Sequence, residues 1–262
     1  MPGASHAGIV ALLHGRTGKT LLARALVDYF ILSGGRPYIF DTDAIERRLH
    51  ALFPSAAHVV DLTIVRDQMA LFDTLAKPSS EMRVVDVAYY SFTKFFELMR
   101  STDFILEAQS HDIIPVIFYI PDRNADSFEA GVVLRDSFPD CRFIVVENAF
   151  FKKPNRHVQQ RLAYKVMRAH NRRYIMPKLA DSVVEALEDR NLSISDFMQQ
   201  PISSGGDAPA PDGLSPDMSV ELRGWVFKIF QEIHGVMTAL ANKDGPPDHI
   251  TGTPPSVADL ED

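Results

Sequence analysis

Seven consecutive residues, His14-Gly15-Arg16-Thr17-Gly18-Lys19-Thr20, stand between a short apolar run at 9–13 and a helical pattern at 19–32. Glycines at 15 and 18 let successive backbone N–H groups face one point, and the positive end of the following helix adds to an anion cradle. In such a loop Lys19 reaches the β- and γ-phosphates of a nucleotide and the Thr20 hydroxyl ligates Mg²⁺. Gly15, Arg16, Thr17, Gly18, Lys19 and Thr20 are therefore the candidate nucleotide contacts. A Gly-Lys-Thr tripeptide alone is compatible with an ordinary strand-to-helix turn, and its placement between a strand and a helix is what gives it weight.

Two further segments carry carboxylates at strand ends: Asp41-Thr42-Asp43, and Val84-Val85-Asp86. Ligands of open α/β sheets bind at the C-terminal edge of the strands, which favours a functional role for Asp86. An aspartate at that edge is also a common turn former or helix N-cap, and Asp43, just before a helical pattern, fits that reading equally. In-line phosphoryl transfer to water is the chemistry these parts allow. No Ser-His-Asp order, zinc-ligand spacing or Gly-x-Gly-x-x-Gly run competes with it.

The elements that must hold these residues follow from the hydrophobic pattern. Strands are predicted at 9–13, 37–41, 59–62, 83–87, 113–119 and 142–146, with helices at 19–32, 44–52, 65–75, 92–110 and 127–136. Strands apolar on both faces, separated by amphipathic helices, predict a mainly parallel sheet with helices on each side, an α/β three-layer sandwich. Beyond residue 146 the pattern is helical, at 156–169, 177–189 and 194–199. The organisation predicted is a nucleotide-binding domain at 7–200, a flexible linker at 201–218, an amphipathic helix at 219–242 and a disordered tail at 243–262.

With these elements in place, the loop and its aspartates resemble the ParA/MinD family of P-loop ATPases, whose loop reads Gly-Lys-Gly-Gly-x-Gly-Lys-[Ser/Thr]. The resemblance spans about residues 7–187. It implies a P-loop fold, ATP and Mg²⁺ as cofactors, and a homodimer in the nucleotide-bound state. It gives Asp43 a place beside Mg²⁺ and the attacking water, makes Asp86 a Walker B-type aspartate, and puts Asn148 where adenine is read. An ordinary turn asparagine is the other reading of Asn148. Three loop positions depart from the pattern: Leu13 and His14 replace the first glycine and the early lysine, and Arg16 replaces the second glycine of the pair. His14 is a short, mostly neutral substitute for a lysine. Arg16 is always charged and is the candidate to take over a phosphate contact in cis or in trans, making it a candidate catalytic residue with Lys19 and Asp43. After Asp86 the chain reads Val87-Ala88-Tyr89-Tyr90-Ser91, without the family's Pro-Ala-Gly-type turn.

The chain carries 27 Lys+Arg against 34 Asp+Glu, a net −7, but the charge is uneven. Nine of the positive residues and none of the acidic ones fall within 148–180, so the remainder stands at −16. On an unbroken helix Arg161, Lys165, Arg168 and Arg172, spaced 4, 3 and 4, line one face, with Val158, Leu162, Val166 and Met167 opposite. That face is either an electrostatic footprint for DNA backbone or a solvated surface paired with acidic neighbours. Base stacking is possible for Tyr89, Tyr90, Phe92, Phe95 and Phe96, although core or interface packing is the more ordinary use of such a cluster.

Near the C-terminus Leu222, Val226, Ile229, Ile233, Val236 and Leu240 recur as a heptad seam. The polar face is nearly neutral (Glu221, Arg223, Lys228, Glu232, His234), so docking on its own domain or on a protein partner is expected rather than membrane binding. The single cysteine, Cys141, adjoins an apolar run and is expected to be a buried thiol. Residues 1–6 lack the basic and apolar regions of a secretory leader, so a cytoplasmic location is expected. The function predicted is a ParA/MinD-type ATP-dependent switch in DNA partitioning or intracellular positioning. A small-molecule kinase or ATP-dependent ligase on the same fold, and a nucleotide-binding module without turnover, are the alternatives.

Overall fold

The computed structural model describes residues 5–11, 14–15, 17–170, 172–199 and 214–241. Seven strands form one sheet: β1 (Ser5–Ala11), β2 (Tyr38–Asp41), β3 (Ala57–Val59), β4 (Arg83–Asp86), β5 (Ile113–Tyr119), β6 (Arg142–Asn148) and β7 (Arg173–Met176). Their order is β3-β2-β4-β1-β5-β6-β7, and every pairing is parallel. The central strands are sealed on both faces: Ile9, Val10, Val84, Val85, Val116 and Ile117 are all fully buried, as a parallel sheet between two helical layers requires.

The helices are α1 (Lys19–Leu32), α2 (Arg48–Leu52), α3 (Val65–Ala76), α4 (Phe92–Ser101), α5 (Phe104–Ser110), α6 (Ala125–Ser137), α7 (Arg156–Gln160), α8 (Leu162–Arg168), α9 (Asp181–Asp189), α10 (Ile194–Gln199) and α11 (Pro216–Ala241). Buried residues of α1, α2, α9, α10 and α11 share one core, and those of α3 to α8 share the other. This division follows from right-handed crossovers. From β1 the chain moves outward to β2 and β3, and from β3 it crosses back through β4 to β5, β6 and β7. β1 and β4 are neighbours whose following helices lie on opposite faces, so a crevice opens between their C-terminal ends.

Several sequence-predicted elements differ from this arrangement. The helix predicted at 92–110 is two helices, parted where Asp103 takes a left-handed conformation at φ 50°. Ser101 and Thr102 both turn their hydroxyls back onto the Leu98 carbonyl there, the competition with the backbone that ends helices. The helix predicted at 44–52 forms only from Arg48, because 43–47 is a turn. After β6 the chain is not wholly helical, since β7 adds an edge strand. The helix predicted at 156–169 is interrupted at Arg161, whose ψ of 140° is extended. Val158 and Met167 reach the core on either side of that break, and Leu162, assigned to the core stripe, is 67% exposed.

A buried ion pair fastens the C-terminal helices to the first one. Asp28 on α1 accepts the backbone N–H groups of Ile194 and Ser195 at 3.0 and 2.8 Å, and Arg24, one turn earlier, donates to the Leu192 carbonyl. Burial pushes the Asp28 carboxyl up, and Arg24 opposes that shift. The α11 seam is buried in cis: Trp225 donates its indole N–H to the Pro177 carbonyl at 2.8 Å, and Arg223 lies 4.7 Å over the Phe197 ring. The predicted linker lies mostly outside the described residues, and the predicted tail wholly so. Cys141 is buried, which pushes its thiol pKa up. Among the described residues no helix is long and apolar enough to cross a membrane.

Candidate functional site

The turn from β1 into α1 ends at Gly18, which sits at φ +89° directly before the first helical residue, Lys19. A side chain is excluded here twice over. The left-handed conformation suits glycine, and a Cβ would come within 2.7 Å of both Asn148 Nδ2 and Met176 Cε. With the turn so fixed, Lys19 and Thr20 open the helix and both side chains meet one carboxylate. Lys19 Nζ donates to Asp86 Oδ1, and Thr20 Oγ1 donates to Asp86 Oδ2 at 2.9 Å. Asp86 ends β4, beside β1, so the three residues converge at the crevice where the strand connections diverge. The Thr42 hydroxyl locks the adjoining strand ends, donating to the Asp86 carbonyl at 3.2 Å and accepting from the Ala88 N–H at 2.8 Å.

The neighbouring carboxylate is Asp41, opposite Asp86 in register and 1% exposed. It accepts N–H bonds from Asp43, Leu49 and His50 at 2.9–3.0 Å, holding the start of α2. Burial, and then Asp86 alongside, hold its carboxyl above the usual range, while Lys19 draws it down. Asp43 does what a turn aspartate does. Its Oδ1 accepts the N–H groups of Ile45 and Glu46 at 3.2 and 2.9 Å and the Tyr90 hydroxyl at 2.9 Å. Burial, and then that bond, push the Tyr90 phenol up to about 12. Among the described residues the Asp43 carboxylate bonds neither Lys19, Thr20 nor Asp86, so the expected trio of Thr20, Asp43 and Asp86 closes only as a pair.

Asn148, at the end of β6, has both ends of its amide engaged. Nδ2 donates to the Thr17 carbonyl at 2.9 Å, and Oδ1 accepts the Phe150 N–H at 2.9 Å. In this arrangement its amide braces the loop. His14 Nδ1 lies 2.6 Å from Asp122 Oδ2, and Nε2 lies 3.3 Å from Asp126. Asp122 follows β5 and was missed, although the rule that singled out Asp86 applies to it: an acid at the C-terminal edge of a central strand. Arg16 lies outside the described residues. Tyr89 and Tyr90 are half-exposed, with Tyr89 against Gly15, whereas Phe95 and Phe96 are core.

The basic stripe is corrected by the break at Arg161. Arg161 precedes α8 and lies 3.9 Å from Glu129, Arg168 ends α8 on Glu147, and Arg172 lies beyond the helix and is 8% exposed. Lys165 has no acidic partner recorded among the described residues. Lys152, Lys153 and Arg156 are exposed at the same end of the sheet.

No family model matches this chain, and no curated protein matches it. Solved structures do. The MinC:MinD cell division complex of Aquifex aeolicus aligns over 84% of this chain and 96% of its own, at 14% identity and TM-score 0.46. A nucleotide-binding protein of Archaeoglobus fulgidus in complex with ADP covers 74% of this chain and 88% of its own, at 14% identity and TM-score 0.47. The septum site-determining protein MinD of Pyrococcus horikoshii with Mg-ADP covers 86% and 97%, at 14% identity and TM-score 0.42.

Proposed function

We propose that this chain is an ATP- and Mg²⁺-dependent switch that hydrolyses ATP slowly and pairs with a second copy when loaded, in the manner of the ParA/MinD group. The observation that carries the reading is the convergence of Lys19 and Thr20, the first two residues of α1, on Asp86 in the crevice between β1 and β4. First-turn N–H groups of α1 lack intrahelical acceptors and suit a phosphate. Lys19 is placed to hold the β- and γ-phosphates. The Thr20 hydroxyl and the Asp86 carboxylate are hard oxygen donors, and one such pair suits a cation that keeps several of its waters and takes the rest of its ligands from phosphate. Bound Mg²⁺ would offset phosphate charge as the γ-phosphoryl passes to water. Thr17 supplies a sign of fit: its hydroxyl is buried and, among the described residues, has no hydrogen-bond partner.

The Asp43 carboxylate serves the 43–47 turn, which supports a slow turnover. Partitioning or positioning of DNA or another cargo is the process such a switch would serve. A second reading, sequence-independent binding of DNA, is supported by Lys152, Lys153, Arg156 and Lys165, and no longer by Arg168 or Arg172. Steady-state ATP hydrolysis with and without DNA tests the set. Slow turnover stimulated by DNA supports the switch, rapid turnover without DNA favours a metabolic kinase or ligase, and binding without turnover leaves a nucleotide-gated module. Loss of the DNA effect in K152E/K153E, and its decline with salt, would tie it to the basic segment.

A further inference from the structure

The β4 side of the phosphate loop is closed twice. At their base the segments leaving β2 and β4 are tied by the Thr42 hydroxyl, set between the Asp86 carbonyl and the Ala88 N–H. Further out they are tied again, by the Tyr90 hydroxyl on Asp43 Oδ1 at 2.9 Å. This second tie reaches the loop itself. Tyr89 packs its ring on Gly15, where an added Cβ would lie 3.4 Å away, and meets Tyr90 edge to face with ring centres 5.5 Å apart. Both tyrosines are about half exposed, so filling the core does not account for them.

What the second tie restrains is the 43–47 turn. Arg47 donates its N–H to the Asp43 carbonyl at 3.0 Å and closes the turn in a left-handed conformation, φ 51°, which costs a non-glycine residue free energy. The turn is thus held from outside by Tyr90 and strained from within at Arg47. A water attacking a bound phosphate needs an acceptor to orient it, and three carboxylates stand at the ends of β2 and β4. Asp86 has one oxygen on Lys19 and the other on Thr20, and Asp41 has both on backbone N–H groups that fix the start of α2. Neither can turn to a water without opening the crevice or loosening α2. Asp43, held by two turn amides and a half-exposed tyrosine, is the one that can.

Resting on the nucleotide reading above, we propose that Tyr90 is a positioning residue that sets the turnover rate by holding the Asp43 carboxylate on its own turn, away from the attacking water. Loading of the loop is felt at Tyr89 through Gly15, the edge-to-face pair passes it to Tyr90, and the strain at Arg47 favours opening once the hydroxyl lets go. The test reads kcat and the Kd for Mg-ATP separately. Tyr90→Phe, which keeps the ring and removes the tie, should raise kcat about five-fold and leave Kd unchanged. Arg47→Gly and Arg47→Ala both lose the side-chain bond to the Ala44 carbonyl, but only glycine takes the left-handed conformation without cost. Arg47→Gly should therefore turn over about five-fold more slowly than Arg47→Ala. A second measurement needs no turnover. Amide exchange of Ile45 and Glu46, which donate to the Asp43 carboxylate, should quicken several-fold in Tyr90→Phe, and also when Mg-ATP binds the unmodified chain. Unchanged kcat in Tyr90→Phe, equal kcat in the two Arg47 variants, or Kd moving in step with kcat would overturn the assignment while the nucleotide reading stands. Where ATP binds without turnover the exchange decides alone, and unchanged exchange overturns the assignment. If the unmodified chain does not bind Mg-ATP, both readings fall.

Discussion

The two sides of the phosphate loop are built on opposite principles. Toward β4 Lys19 and Thr20 both bond Asp86, so the lysine and carboxylate neutralise each other in a buried crevice. Toward β5 and β6 the Thr17 hydroxyl, without a partner among the described residues, faces a cavity, and His14 leans on Asp122 at the rim. For the proposed nucleotide site the first side means a charge pair, Lys19 with Asp86, that is already in place. The second side retains a partly exposed Phe151 ring beside that hydroxyl.

The largest effect expected in breaking this contrast is on the closed side. Lys19→Ala should weaken ATP by about a hundred-fold, since a charge-assisted phosphate contact is lost and Asp86 is left buried without its counter-charge; calorimetric titration measures it. Asp86→Asn should abolish the benefit of Mg²⁺, so that ATP affinity with 5–10 mM Mg²⁺ (roughly the range that saturates ordinary Mg-ATP sites) equals affinity in EDTA.

The same substitution has a consequence for pH. Asp41 is held above its ordinary value, first by burial and then by Asp86. An acid raised in this way binds more protons folded than unfolded, so its contribution to stability is greatest at low pH and declines as pH rises through the folded value. Removing the Asp86 charge should flatten that decline, read as urea midpoints from about pH 4 upward. The smallest effect is expected at the rim. His14→Ala removes the contacts to Asp122 and Asp126 and should change ATP affinity by about two-fold or less, because a half-exposed polar contact contributes little.

The closed side was legible in the sequence because its residues belong to one contiguous motif and one strand end. The bounds of α1 follow from the glycine before it and the apolar pattern within it, and Asp86 follows from a run of β-branched residues. The open side was not legible, since its walls come from three loops whose meeting depends on strand order. Asn148 illustrates the limit: the sequence places it at the end of a strand, but only the fold brings the Thr17 carbonyl to its amide. β7 escaped notice for a different reason. Of Arg173–Met176 only Met176 is buried, so a four-residue edge strand leaves almost no alternating pattern. The basic stripe failed because helical spacing is meaningful only on an unbroken helix, and no glycine or proline marks the break at Arg161.

The Arg24–Asp28 pair bears on where this protein can be cut. Asp28 is sealed from water, and the two N–H groups it accepts come from residues more than 160 positions downstream. A version shortened after Leu187 would keep the loop, the sheet and all the residues assigned to ATP, yet leave a carboxylate on the loop's own helix without those two donors. Such a fragment should be insoluble or unfolded although it contains the whole proposed nucleotide site. Truncation to a minimal ATP-binding piece therefore has its limit set inside the first helix, not at the last residue of the site.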